Sequence, residues 1–223
     1  MKKKHIVLIY FLIGLGSIGL SSHLAVRNII PLQKSSSKIT ARYVKDYWRT
    51  APYALFDSAQ LTEQEAFQRY HAPAFRGKVV SVQNISLTTE GGTYGKYMAL
   101  AAIKAEKVFA GEIKEGDLVQ VLVPFPIVRN DLEGDTSIIS QIRTGTEGIW
   151  IPYQITDEFQ MQVNGEKLYL SDLAEYEFTG RYGIFLESDG KVLFQQGAYA
   201  LHPDCTLDEA ETYVVQCLRK YAE

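Results

Sequence analysis

The pattern of apolar and polar positions changes character along the chain. After Lys2, Lys3 and Lys4 comes an apolar run, Ile6 to Leu20, which reaches Val26 when Ser21, Ser22 and His23 are included. A charged stretch followed by an apolar one is the arrangement of a secretory signal. The longer span also matches the ~20 residues needed to cross a bilayer. Residues 1–26 are therefore predicted to be a signal peptide or an uncleaved signal anchor, that is, a transmembrane helix. Ser17, Gly19 and Ser21 offer weak peptidase sites, and no cysteine follows the run for lipid attachment. Because the run is apolar all round, it has no polar side to turn toward water, which argues against a helix packed on a soluble core.

Residues 27–58 read as a juxtamembrane linker carrying a short helix. Pro31 and Ser35 to Ser37 mark the linker. Over Ala41–Thr50, the residues Tyr43, Val44, Tyr47 and Trp48 share one helical face, and Pro52 ends the element. A second short helix is predicted from the capping box Thr62 to Glu65, stopping before Pro73.

From Phe75 the pattern turns to β, and residues 59–223 are predicted to form one domain. Arg76–Leu87 places Val80, Val82 and Ile85 among polar residues in loose alternation; Gly91 and Gly92 form a loop; Tyr97–Phe109 is a second, long strand. Leu118–Val123 is a third, entered through Glu115, Gly116 and Asp117. Two hairpins carry the dipeptides that accept the φ > 0 geometry of type I′ turns: Asn164-Gly165 between Phe159–Val163 and Lys167–Leu170, and Asp189-Gly190 between Tyr182–Glu187 and Lys191–Gln195. Thr206 to Glu209 is a further capping box, after which Leu207, Ala210, Val214, Cys217, Leu218 and Tyr221 recur at helical spacing. Short, regularly spaced strands closed by one terminal helix predict a mainly β fold with flanking helices, a small barrel rather than a parallel sheet.

Composition constrains the partners. The chain has 223 residues, 46% hydrophobic and 22% charged, enough to bury a core without metal or disulfide staples. Residues 1–30 hold four of the 23 basic residues and none of the 26 acids, which leaves 19 against 26, a net −7, for residues 31–223. That balance lacks the basic footprint of a phosphate-backbone binder, so nucleic acid is not an expected partner. The flank downstream of the apolar run is nonetheless basic: Arg27, Lys34, Lys38, Arg42 and Lys45 precede the first acid, Asp46. This leaves the positive-inside comparison balanced or reversed. The export-type leader places the domain outside the cytosol, and the basic stretch suits anionic lipid or wall polymer. On a helix, the twelve positions from Cys205 to Cys217 rise about 18 Å, beyond the ~7 Å that a disulfide spans. Cys217 is expected to be a buried apolar residue.

The segments Phe75–Val82 and Ala105–Val121 together resemble the OB-like barrel domains of uncharacterised exported or membrane-anchored proteins from Gram-positive bacteria. The matching features are a Gly-x-Val-x-x-Val strand (Gly77, Val79, Val82), a long strand ending near a glycine, and Gly-Asp-x-Val-x-Val (Gly116 to Val121) opening the next. Glu147–Ile149 and the Thr206–Leu218 helix occupy corresponding places. The similarity covers roughly residues 60–218. It implies a small OB-like barrel and an extracytoplasmic location, and it brings no catalytic residues. The sequence departs from the pattern in lacking a lipobox cysteine and in inserting the Phe159–Leu170 hairpin.

Catalytic signatures are sparse. His71 and His202 lie at element boundaries, and no His-x-x-x-His, Cys/His cluster or calcium-loop spacing occurs, so no metal or other cofactor is expected. No Gly-x-Ser-x-Gly elbow is present, and a Ser–His–Asp set through His202 and Asp204 would need sequence neighbours to face each other. The Gly-rich stretch Gly91–Gly95 joins two strands instead of opening a helix, which fails the context of a phosphate loop. Glu147 and Glu187 beside apolar strands are candidates for a carboxylate pair. Aromatic residues are the stronger lead, since OB-type barrels bind oligomers on an aromatic-bearing face. Trp150, Tyr153 and Tyr94 are the candidate ligand-binding residues, among the β-region tyrosines Tyr97, Tyr182 and Tyr199. The expected function is an extracytoplasmic, membrane-tethered module that binds a protein or envelope polymer without catalysis. The alternatives are an envelope hydrolase with a carboxylate pair and a purely structural subunit.

Overall fold

The computed structural model describes residues 28–45, 61–68, 72–92, 95–127, 138–178 and 181–221. Residues 1–26, Tyr47, Trp48, His71 and Tyr94 lie outside the described residues, so the expected signal or anchor and the latter half of the expected first helix do too. The strands are β1 (Ile29–Ile30), β2 (Ile39–Val44), β3 (Ala74–Thr89), β4 (Lys96–Ala110), β5 (Leu118–Val123), β6 (Glu147–Trp150), β7 (Tyr153–Gln154), β8 (Gln160–Val163), β9 (Glu166–Tyr169), β10 (Tyr176–Glu177), β11 (Ile184–Ser188) and β12 (Lys191–Leu193). The helices are α1 (Glu63–Gln68) and α2 (Leu207–Lys220). One sheet runs in the order β12-β11-β6-β3-β4-β5-β10-β7, with β2 attached to β3 and β1 to β2, while β8 and β9 form a separate hairpin.

Strand β3 is the hinge of this sheet. Its first half pairs with β6 (Phe75 opposite Trp150, Lys78 opposite Glu147) and its second half with β2 (Val44 opposite Asn84, Ile39 opposite Thr89). Between the halves, Val80 is an extra residue against β4, a β-bulge. A bulge shifts the period-2 alternation by one, so side chains of equal parity change face. Val79 is fully buried, Val80 is 48% exposed, and Ile85 and Leu87 then point to the face opposite Val79. The loose alternation of the sequence is this bulge.

One face of the sheet closes around a continuous core from Ile184 and Leu186 on β11, through Trp150, Phe75, Ala101 and Val121, to Tyr176 on β10. The Trp150 and Phe178 rings meet at 5.8 Å between centroids although three strands separate them in the sheet, which requires the sheet to curl. Ile138, Ile139 and Ile142 fill the hollow. The other face carries two apolar patches. Residues 155–174, including the β8–β9 hairpin, cover Ile85, Leu87, Met98, Leu100 and Leu122. Helix α2 covers Ile149, Phe185 and Val192 through Leu207, Ala210, Val214 and Cys217.

Both predicted hairpins form, with Asn164 and Asp189 at φ 49° and 52° and glycine next in each turn. The capping box of α2 is complete: the Glu209 amide donates to Thr206 and the Thr206 amide to the Glu209 carboxylate. Both cysteines are free and buried, and burial pushes each thiol up.

Two expectations need correction. The sheet is a curled half-barrel and not a closed OB barrel: its ends, β12 and β7, hold three and two residues and do not pair with each other. Residues 41–44, expected to start a helix, belong to strand β2 together with Ile39 and Thr40 of the expected linker, and Ile29–Ile30 of that linker pair with it. The β-branched and aromatic residues Ile39, Thr40, Tyr43 and Val44 suit a strand, and pairing along β3 satisfies their backbone where an isolated short helix would not persist.

Short-range polar contacts fasten the outlying pieces. Asp172 accepts from the Lys34 amide (3.0 Å), the Ser35 amide (2.8 Å) and the Ser35 hydroxyl (2.6 Å), which pins the β1–β2 connection to the 155–174 cover. Glu63, the first residue of α1, accepts from the hydroxyls of Tyr213 and Tyr221 and from Lys220 Nζ. Chiefly the Tyr213 hydroxyl, aided by Tyr221 and Lys220 against the cost of burial, holds the Glu63 carboxyl down at about 2. Phe67 packs between the rings of Tyr199 and Tyr221 on the same seam.

Candidate functional site

Of the aromatic residues singled out by sequence, Trp150, Tyr153, Tyr182 and Tyr199 are core residues, and Tyr97 is half-buried. Trp150 is fully buried, its indole N–H donating to the Gly77 carbonyl at 3.0 Å, and it presents no surface to a ligand. Tyr153 is also buried; its hydroxyl donates to Glu177 across the β7–β10 pairing, in which the two residues lie opposite each other. Tyr182 and Tyr199 are buried as well, each hydroxyl accepting a backbone amide, from Leu61 and Gly183. Each of these rings is enclosed by packed neighbours, Trp150 within the sheet and the three tyrosines at its end or in the connections, so a large amphipathic side chain packs and spends its polar tip inside.

Glu177 is a titratable group that sequence reasoning missed. It is 7% exposed, on the face covered by residues 155–174. Burial pushes its carboxyl up, opposed by the Tyr153 hydroxyl and by the charge of Lys96, whose own ammonium is pushed down by burial. The carboxylates marked by sequence serve structure instead: Glu147 pairs with Lys78 at 3.1 Å, and Glu187 accepts the Gly190 amide of the turn. Asp157 and Asp172 influence one another, but Asp157 takes Lys34 and the Ser171 hydroxyl while Asp172 takes Ser35. His202 and Asp204 are exposed, joined by a 3.2 Å bond from the Asp204 amide to His202 Nδ1. Among the described residues no group of three or more His, Cys, Asp or Glu is placed to hold a metal ion, and no helix is long and apolar enough to cross a membrane.

An open groove of about 710 Å³ lies between the end of β4 and α2. It exists because β4 carries two more bulges. Lys107 pairs with Arg76 and Ala105 with Gly77, leaving Glu106 extra; Ala110 pairs with Ala74 and Val108 with Phe75, leaving Phe109 extra. The bulged end runs on past the β4–β5 ladder, which stops at Lys104 opposite Leu118. Among the described residues, the edge Glu106–Ala110 thus pairs with β3 alone. Bulges of this kind re-aim side chains and spoil a strand edge as a template for another strand.

Half-buried Val108, Phe109, Ala110, Val215 and Leu218 line the groove with apolar surface. At its side Glu211 accepts from Lys107 and from Arg76, and Arg76 also reaches Asp208 at 2.6 Å, which anchors α2 to the sheet. Arg219 on the opposite rim is exposed and makes no ion pair among the described residues. Among the described residues, the groove therefore offers an apolar floor, a neutralised side and, in Arg219, a cation without an ion pair. Sequence signals for it were thin, because Lys107 and Glu211 are 104 residues apart.

Comparison of the chain with known protein families, with curated proteins and with solved structures finds no match.

Proposed function

We propose that the chain is an extracytoplasmic, membrane-tethered module whose folded part binds a protein partner in the groove between β4 and α2, without catalysing a reaction. The observation that carries the binding role is the apolar groove with Arg219 left unpaired on its rim. Its chemistry fits a short partner segment with apolar side chains and one carboxylate facing Arg219. A charge-assisted contact of that kind is stronger than a neutral one. Nucleic acid is an unsuitable partner for residues 31–223 with their net −7. The tether rests on Lys2 to Lys4 followed by Ile6–Val26. Kinship with the OB-like domains of exported Gram-positive proteins is proposed on Gly77–Val82 and Gly116–Val121 alone. The rival envelope hydrolase gains no support, since the described partners of the buried Glu177 are Tyr153 and Lys96 and not a second acid.

The binding role is tested by placing a photo-crosslinking residue at exposed Gln216 in the full chain on its native membrane. A discrete adduct is expected, lost with Arg219→Glu and with Val215→Arg, and absent when the crosslinker stands at exposed Gln160 on the separate β8–β9 hairpin. An adduct indifferent to both substitutions would refute the groove as the binding site.

A further inference from the structure

We propose that the sheet end formed by β1 and β2 lies against the membrane surface, with Arg42 and Lys45 facing anionic lipid headgroups. The inference rests on the tethered reading above and names which part of the domain faces the bilayer. Four basic residues occur in residues 28–45, and the structure divides them into two kinds. Lys34 is paired with Asp157 at 2.5 Å and Lys38 with Glu166 at 2.8 Å. Arg42 and Lys45 are exposed and make no ion pair among the described residues.

Among the described residues, the strands on either side of Arg42 supply no counter-charge. No acid occurs in residues 28–45. On the neighbouring strand, Arg42 lies opposite Ser86, and the flanking pairs Thr40–Thr88 and Val44–Asn84 are uncharged. Ile29 is directly opposite Arg42 in the β1–β2 pairing, so the two side chains share a face, and Ile29 is 47% exposed. An exposed isoleucine opposite an arginine that makes no ion pair among the described residues suits a surface that meets headgroups, apolar group inward and charge at the phosphate level, and Lys45 just past the strand end adds a second exposed cation.

Chain length fixes the distance. With the apolar run ending at Val26 in the bilayer interface, three residues to Ile29 span at most about 11 Å. That upper limit is about 1.4 Debye lengths at physiological salt, so the attraction of a cation here to an anionic surface is attenuated but not abolished, and it is salt-sensitive. A tether this short delivers the β1 end of the sheet to the membrane.

The test uses the full chain in vesicles with brominated acyl chains, either phosphatidylcholine alone or with about 30% phosphatidylglycerol. A bimane label is placed through Thr40→Cys, on the proposed face, or through Thr212→Cys on exposed α2 as control; the native cysteines are buried. Quenching at position 40 is expected to be several-fold greater with phosphatidylglycerol. It is expected to fall to the phosphatidylcholine level in Arg42→Glu with Lys45→Glu, or in wild type at about 0.5 M salt, while position 212 stays unquenched. Quenching at position 40 that ignores lipid charge and both substitutions, in protein that floats with the vesicles, overturns the proposal and leaves the tether standing. Protein that floats with neither vesicle overturns the tether itself.

Discussion

Replacing Glu63 by glutamine removes one negative charge from the point where α1 is tied to α2 and leaves the shape nearly unchanged. The carboxyl titrates at about 2 in the folded protein against 4.5 in an unconstrained chain. A difference of that size, fully realised, corresponds to about 3.4 kcal/mol at neutral pH. The site is at the surface, with 20% of the side chain exposed, and solvent screening reduces such contributions, so the expected loss is about 1–2 kcal/mol. The folded value is the lower one, so the stabilisation is present above 4.5 and is lost as pH falls toward 2. Urea unfolding of the full-length protein in detergent, followed by tryptophan fluorescence, measures the difference. Glu63→Gln is expected to be less stable by that amount at pH 7 with an unchanged denaturant slope, and to approach wild type only near pH 2. Equal stability at pH 7, or an offset that does not vary with pH, would refute the assignment of the clamp to the Glu63 charge.

Three further outcomes follow from the same reasoning. Because burial raises the Glu177 carboxyl, wild type should lose stability as pH rises through its folded value, whereas Glu177→Gln, which keeps an acceptor for Tyr153, should melt higher than wild type at pH 8 and equally below pH ~4. Gly183 has φ +77°, and a Cβ there would stand 2.5 Å from the Ile151 carbonyl oxygen; Gly183→Ala should cost about 1–3 kcal/mol in thermal or urea unfolding, and a neutral result would mean the β6–β11 junction is looser than described. Asp172→Ala leaves the Lys34 and Ser35 donors without their acceptor and should cost about 1–3 kcal/mol; amide exchange should speed up at those two residues and not in α2.

Much of the fold was legible because its signals are local. The hairpin turns depend on two residues each, the α2 cap on four, and Leu118–Val123 was bounded by its own turn. What escaped was set by pairing at a distance. Residues 39–44 are a strand because β3 lies beside them, and the bulges at Val80, Glu106 and Phe109 are defined only by the partner's register. The site followed the same division. Trp150 and Tyr153 carried the right chemistry for a ligand face, but the curl of the sheet and the cover of residues 155–174 turned that face inward. Glu177 was unremarked because its partners Tyr153 and Lys96 stand far from it in sequence. The groove needed both the bulged end of β4 and α2 before it existed at all.

The central claim, that this domain stands outside the cytosol on a membrane tether, is tested most directly by cysteine labelling on intact cells. Cys205 and Cys217 are buried, and burial pushes both thiols up, so they contribute little background. A single reporter is introduced as Gln160→Cys, on the exposed β8–β9 hairpin. With a membrane-impermeant maleimide, the reporter should be labelled as fully before lysis as after it. Labelling that occurs only after the membrane is broken would contradict the account.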